Sequence, residues 1–252
     1  APIGPDEHPY VFAGLHSGLL RSTDGGGSWE SAPLPSPSPI FSFLAPSPDF
    51  AQDGTLFAAT LGCGVLIYKS FGSQLSMWNF GLLDHEILCL GVSTNFLEDH
   101  TIFAGAQSGL FLSTNGGRSW TDIDLPIGYE PVLSLAISPD FANDHLLYAG
   151  TESKGILCSS DCGKKWKQLG EGVLVNPINS ILLDPQFPKK SNILIVHGDN
   201  PLFSSDYGYS WEHWRNESLD GLDVSSLLAP EGFSDGVPVV VGLFDGGIRL
   251  IP

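Results

Sequence analysis

Four segments of the chain share the pattern S-x-D-x-G-x-x-W, and their spacing restricts the fold more than any other feature of the sequence. They are Ser22, Asp24, Gly26, Trp29; Ser113, Asn115, Gly117, Trp120; Ser159, Asp161, Gly163, Trp166; and Ser204, Asp206, Gly208, Trp211. A decayed copy keeps Ser70 and Trp78 one residue further apart, with Gly72 where the acid would stand. Ahead of each lies a short apolar run whose first large residue recurs at Phe12, Phe57, Phe103, Tyr148, Leu194 and Val240, at steps of 45, 46, 45, 46 and 46 residues. A third column, S-P-D-F or a relic of it, falls around Phe50, Phe96, Phe141, Phe187 and Phe233, at steps of 46, 45, 46 and 46. Three columns on one period define an internal repeat.

Each period contains four runs of apolar and β-branched residues bounded by Gly, Pro, Asn and Asp, which is a strand pattern. In the third repeat the strands are expected near Val132 to Ile137, Leu146 to Gly150, Gly155 to Ser159 and Trp166 to Leu169. No stretch holds helical periodicity for three turns. Four short antiparallel strands every 45 or 46 residues describe a β-propeller blade. Six copies of the second strand predict an all-β, six-bladed β-propeller forming a single domain over residues 1–252. A five-bladed ring with redundant terminal strands is the alternative. Ile3 to Asp6 align with Ile137 to Asp140, so the first blade is expected to begin inside its innermost strand, and the last stops after its third strand at Ile251.

At these residues the chain resembles the Asp-box, or bacterial neuraminidase repeat (BNR), propellers. The linked S-P-D-F, F-A-G and S-x-D-x-G-x-x-W period is similar to the photosystem II stability and assembly factor-like group. The resemblance implies that each motif caps the turn between a blade's third and fourth strands. There Asp24, Asn115, Asp161 and Asp206 would accept backbone N–H bonds, the glycines would supply positive φ, and each tryptophan would pack beneath the turn. This is a structural role, because a catalytic site needs one constellation and not the same turn in every blade. Ser42, Cys89, Ser134, Ser180 and Ser226 occupy matching or nearly matching slots as small residues on the innermost strands, expected where strands crowd together; no G-x-S-x-G elbow accompanies them.

Composition narrows the function. With 11 Lys+Arg against 28 Asp+Glu the formal charge is −17, which argues against a nucleic-acid or anionic-membrane partner. No apolar run approaches the roughly 20 residues of a membrane helix. Cys63, Cys89, Cys158 and Cys162 lack C-x-x-C spacing; Cys158 and Cys162 flank a turn and could join in an oxidising compartment, with free thiols as the other reading. The chain begins at the small residue Ala1 and its only methionine is Met77, which suits signal-peptide cleavage and an exported protein. Asn216-Glu217-Ser218 matches a glycosylation acceptor by pattern alone.

In a propeller the loops joining strands two and three share a face with the links between blades, opposite the Asp-box turns, and such loops carry function. The candidates there are His16, His85, Glu86, Gln107, Glu130, Glu152, His197, Asp199 and Asp245. Three readings compete. The resemblance to assembly factors implies a binding module that engages a partner protein or ligand. A glycoside hydrolase-like enzyme would need two carboxyls about 5 to 10 Å apart. A divalent cation could be held by His16, His85 and His197 with a carboxylate. A sialidase-type site would need three arginines and an F/Y-R-I-P segment; the chain has only Arg21, Arg118, Arg215 and Arg249, and no such segment. Assembly factors of this group present a basic patch, which the acidic composition does not predict.

Overall fold

In the computed structural model residues 9–251 are described, apart from 17, 216–218, 220 and 235, and they form six antiparallel sheets, each a meander in chain order. Blade 1 holds β1 (Val11–Leu15), β2 (Gly18–Ser22) and β3 (Glu30–Ser31). Blade 2 holds β4 (Ile40–Pro46), β5 (Leu56–Leu61), β6 (Gly64–Lys69) and β7 (Gln74–Ser76), and blade 3 holds β8 (Ile87–Val92), β9 (Ile102–Ala106), β10 (Gly109–Ser113) and β11 (Thr121–Ile123). Blade 4 comprises β12 (Val132–Ile137), β13 (Leu147–Thr151), β14 (Ile156–Ser159) and β15 (Lys167–Leu169). Blade 5 comprises β16 (Ile178–Leu183), β17 (Ile193–His197), β18 (Asn200–Ser204) and β19 (Glu212–His213), and blade 6 has β20 (Val224–Leu228), β21 (Val239–Leu243) and β22 (Ile248–Ile251). The chain is a six-bladed β-propeller, with four strands in each complete blade. The blades group into two compact units, Ala1–Asp124 with blades 1 to 3 and Leu125–Pro252 with blades 4 to 6. The expected alignment of Ile3 to Asp6 and the Asn216-Glu217-Ser218 pattern fall outside the described residues.

One element was not expected. The S-P-D-F column opens single-turn helices α1 (Phe50–Asp53), α2 (Phe96–Asp99) and α3 (Phe141–Asp144), too short to leave a periodic trace. Each is braced by its own polar residues. Ser47 Oγ donates to Asp53 Oδ2 at 2.6 Å, and the other oxygen of Asp53 accepts the Thr55 N–H at 2.8 Å. Ser93, Asp99 and Thr101 repeat both bonds. The helix ends on a left-handed residue, Gly54, His100 or His145, whose N–H returns to the opening phenylalanine carbonyl. Blade 5 has Asp184 in place of the serine and Lys190 in place of the aspartate, with the ammonium 4.0 Å from the carboxylate.

The opening phenylalanine faces the preceding blade, and there the core lies. Phe50 meets Phe12 edge-on with ring centroids 5.8 Å apart, Phe96 meets Phe57 at 5.2 Å, and Phe187 meets Tyr148 at 6.1 Å. The apolar clusters within each unit accordingly run from blade to blade.

The innermost strands of blades 2 to 6 each carry a bulge, which shifts the small-residue column. Register places Phe43, Cys89, Ser134, Ser180 and Ser226 in equivalent positions, so Ser42 lies one residue off the column, on the bulge. From there its hydroxyl bonds Ile87 O of blade 3 at 2.5 Å, while Ser134 bonds Ile178 O of blade 5 at 2.6 Å. These hydroxyls tie neighbouring blades. The crowding is real, since a Cβ on Gly150 or Gly242 would run into Ser134 or Ser226 Oγ.

Blade 6 ends differently. Ile156 and Leu110 occupy the same register position as Ile248 and are fully buried, whereas Ile248 is 77% exposed and Leu250 beside it 67%. Strand β22 is the outer strand of its sheet among the described residues.

Candidate functional site

The two ends of each blade carry different chemistry. At one end, the S-x-D-x-G-x-x-W turn closes on itself. Ser22 Oγ accepts the Gly26 N–H and donates to Asp24 Oδ1, both at 2.8 Å, and that same carboxylate oxygen accepts the Ser28 N–H at 2.8 Å. Ser204, Asp206, Gly208 and Ser210 repeat this geometry in blade 5. The residue after the acid is left-handed in all four copies, with φ of 73° at Gly25, 72° at Gly116, 59° at Cys162 and 62° at Tyr207. Its N–H bonds the loop between the first two strands: Gly25 to Pro9 O, Gly116 to His100 O, Cys162 to His145 O and Tyr207 to Ser191 O. These bonds to hydroxyls and amides hold the carboxyls of Asp24, Asp161 and Asp206 below the usual carboxylate range. That direction is wrong for a general acid, and every group is engaged within the turn.

The tryptophans lie against their turns to different depths, and one expectation about the copies needs correction. Trp29 Nε1 bonds Gly26 O at 3.1 Å and Trp166 Nε1 bonds Gly163 O at 2.9 Å, yet only Trp120 is buried, at 5% exposure, while Trp29 remains 44% exposed. The decayed copy is also displaced. Register assigns its serine and tryptophan positions to Tyr68 and Leu75, so Trp78 lies beyond the turn, where it meets the Arg118 guanidinium, 5.4 Å from the ring centroid. No disulfide joins any of the four cysteines.

At the other end, backbone hydrogen bonds lace the hairpins between second and third strands to the links between blades. In the first unit, Gly62 and Gly64 N–H both donate to His85 O, and Gln107 N–H donates to Glu86 O. The Asp84 carboxylate accepts the Glu86 and Ser108 N–H groups, each at 2.8 Å. His85, Glu86 and Gln107 therefore share one exposed, braced corner; His16 is exposed between β1 and β2. In the second unit, Glu152 N–H donates to Pro131 O, leaving its side chain in solvent. Glu130 turns inward instead: it is 8% exposed and accepts both the N–H and hydroxyl of Ser153. His197 Nε2 accepts the Asn176 N–H at 2.9 Å. Burial lowers the His197 pKa, and the charge of Asp199 partly opposes that shift. Asp199 O accepts the Val224 N–H and Asp223 O the Phe244 N–H, which holds Asp199, Asp223 and the exposed Asp245 on one frame. Asp199, Asp223, His213 and Trp214 line a hollow of about 190 Å³.

This end brings together Glu86 with Gln107, and Asp199 with Asp223. Among the described residues, no three His, Cys, Asp or Glu side chains converge as metal ligands would, so His16, His85 and His197 have no shared site to rest on. Two of the arginines are occupied elsewhere. Arg21 pairs with Glu30 and bonds Phe71 O, and Arg215 bonds Ser234 and Val237 carbonyls while stacking on Trp214. Composition also concealed a feature: five of the seven lysines fall in two short stretches, Lys164, Lys165 and Lys167 at the turn and start of β15 in blade 4, and Lys189 and Lys190 ahead of β17 in blade 5. The acidic total therefore hides two local basic runs, visible in sequence as K-K-W-K and K-K.

No protein-family model matches the sequence, and no curated protein matches it. Solved structures do match in fold. The extracellular domain of a putative one-component system from B. thetaiotaomicron superposes with a TM-score of 0.71 at 18% identity, covering 96% of this chain and 31% of that one. An ancestral GH74 enzyme gives 0.65 at 15% identity, covering 96% and 32%. YCF48 bound to D1 peptide gives 0.65 at 18% identity, covering 92% and 71%. The chain spans about a third of the length of the first two.

Proposed function

We propose that the protein is an exported Asp-box propeller that acts as a binding module, engaging a protein or peptide partner through the hairpin and link end of its blades. The observation that carries this reading is the bracing of that end. Exposed Glu152, Asp199 and Asp245 stand on loops of the second unit fixed by inter-element backbone bonds, which is the preorganisation a binding surface needs. Two features of similar folds support it: YCF48 has been captured with a peptide, and the B. thetaiotaomicron neighbour is an extracellular domain. The acidic side chains select a basic partner segment through complementary charge.

Panning a random peptide library against the protein tests the proposal. Basic peptides are expected to be enriched, and their binding should weaken about tenfold or more in Glu152→Lys or Asp199→Lys while surviving Asp206→Asn in the opposite turn of blade 5. Failure to enrich any peptide, or binding indifferent to the two charge reversals, would sink it.

A further inference from the structure

The groove between blades 4 and 5 departs from the repeat on both of its walls. It has a volume of about 400 Å³ and opens at the end carrying the repeat turns, away from the hairpin and link end. Lys165, Trp166 and Lys167 form the blade 4 wall, Tyr207 and Tyr209 the blade 5 wall, and buried Tyr148 lies at the base. Blade 5 alone places tyrosine at both variable positions of the turn, where blade 1 has Gly25 and Gly27 and blade 3 has Gly116 and Arg118. Tyr207 takes the left-handed conformation that glycine adopts in those blades, a strained one for a side chain with a Cβ. It is pinned by its hydroxyl, which donates to Pro188 O at 2.9 Å, and by its ring against Phe187 at 5.6 Å. Tyr209 is 64% exposed, with Lys167 Nζ 4.7 Å from its ring centroid.

A purely structural account covers part of this. The corresponding groove between blades 2 and 3 holds the same contact with its partners exchanged, Arg118 supplying the cation and Trp78 the ring. Cation–π pairing across neighbouring blades therefore clamps both grooves. The clamp uses one lysine. It leaves Lys165, exposed on the same wall, outside the pair, and Tyr209 still 64% exposed. The carboxylate in the groove, Asp161, is turned into its own turn by the Lys165 N–H and the Ser159 hydroxyl.

From this chemistry we infer that the groove binds a uronate-bearing oligosaccharide. The C–H face of a pyranose is apolar with positive hydrogens and stacks on the negative face of Tyr209; the sugar carboxylate is neutralised by Lys165 and Lys167. The volume lies in the range of small-ligand sites and suits a two- or three-sugar segment. An acidic peptide would be served by the lysines alone, and the exposed rings favour the sugar. The site is separate from the proposed partner surface, so either can fail without the other.

Calorimetric titration with a trigalacturonate decides the matter, using a neutral cellotriose and a poly-Glu decapeptide as comparison ligands. Trigalacturonate is expected to bind saturably and to weaken with added salt, with cellotriose about tenfold weaker or undetectable. Tyr209→Ala and the double variant Lys165→Gln/Lys167→Gln should each lose about tenfold, the latter also flattening the salt dependence. All three side chains are solvent-exposed or half-exposed, and unchanged thermal midpoints would show that the variants fold. No saturable trigalacturonate binding, or binding unaltered in Tyr209→Ala, overturns the inference. Tighter binding of the poly-Glu peptide that ignores Tyr209→Ala also overturns it, in favour of an acidic protein partner.

Discussion

Asn115 stands where three other turns carry aspartate, and its amide inverts one hydrogen bond. Asp24 Oδ2 accepts the Ser28 hydroxyl at 2.7 Å, whereas Asn115 Nδ2 donates to the Ser119 hydroxyl at the same distance. The serine rotor accommodates either polarity, so the turn needs an oxygen acceptor and not a charge. Because the Asp206 pKa is lowered by folding, its contribution is present above the unfolded value of about 4 and is lost as pH falls through the carboxylate range. Asp206→Asn should therefore leave the urea midpoint at pH 7 nearly unchanged and reduce its decline toward pH 3, while Asp206→Ala lowers it at both. Cys162→Gly relieves a left-handed side chain and should add up to about 1 kcal/mol. Tyr207→Gly should not, because the bond to Pro188 and the Phe187 contact offset the strain; chemical denaturation of the pair separates the two cases. His197 gives the opposite end of the blades a pH response. Its neutral form accepts from Asn176, its folded pKa is lowered, and so its contribution holds above about 6.5 and fades as pH drops below that. Hydrogen-exchange protection at the Asn176 amide should fall over that range and be insensitive to pH in His197→Gln.

The strand elements were legible because alternating and continuous apolar runs translate directly into a pleated sheet. In blade 4 the expected strands match β12 to β15 to within a residue at each end. The single-turn helices were not legible, since one turn cannot show a 3.6-residue period; the available clue was the serine six residues before an aspartate, which recurs at Ser47, Ser93 and Ser138. The small-residue column matches only nearly at Ser42, and the sequence does not say why, because a bulge inserts a residue without altering composition. The candidate residues could be assigned to loops but not to orientations: Glu130 and Glu152 look alike in sequence, and only the first is turned inward by Ser153. The element most exposed to a single change is the inter-blade phenylalanine. Phe187 is 2% exposed and contacts Tyr148 and Tyr207, so Phe187→Ala should cost about 3–5 kcal/mol, read as a shift in denaturation midpoint, and should loosen the left-handed Tyr207 turn as well.

At the scale of the molecule, a net charge of −17 disguises an uneven distribution, with five of the seven lysines within residues 164–190. The outer strand β22 has a related lesson. Ile248 exposes what Leu110 and Ile156 bury at the same position in blades 3 and 4, Leu250 beside it is 67% exposed, and an apolar outer strand among the described residues recruits other strands. Concentration-dependent association is expected by sedimentation, and Leu250→Lys should suppress it. The graded exposure of the repeat tryptophans has a further use. Trp29 and Trp78 are wet and Trp120 is dry within the first unit, while the second unit holds half-buried Trp166 and Trp211 beside buried Trp214. Emission colour thus differs from blade to blade, and variants retaining one indole each would turn the repeat into a set of optical probes that report which blade melts first.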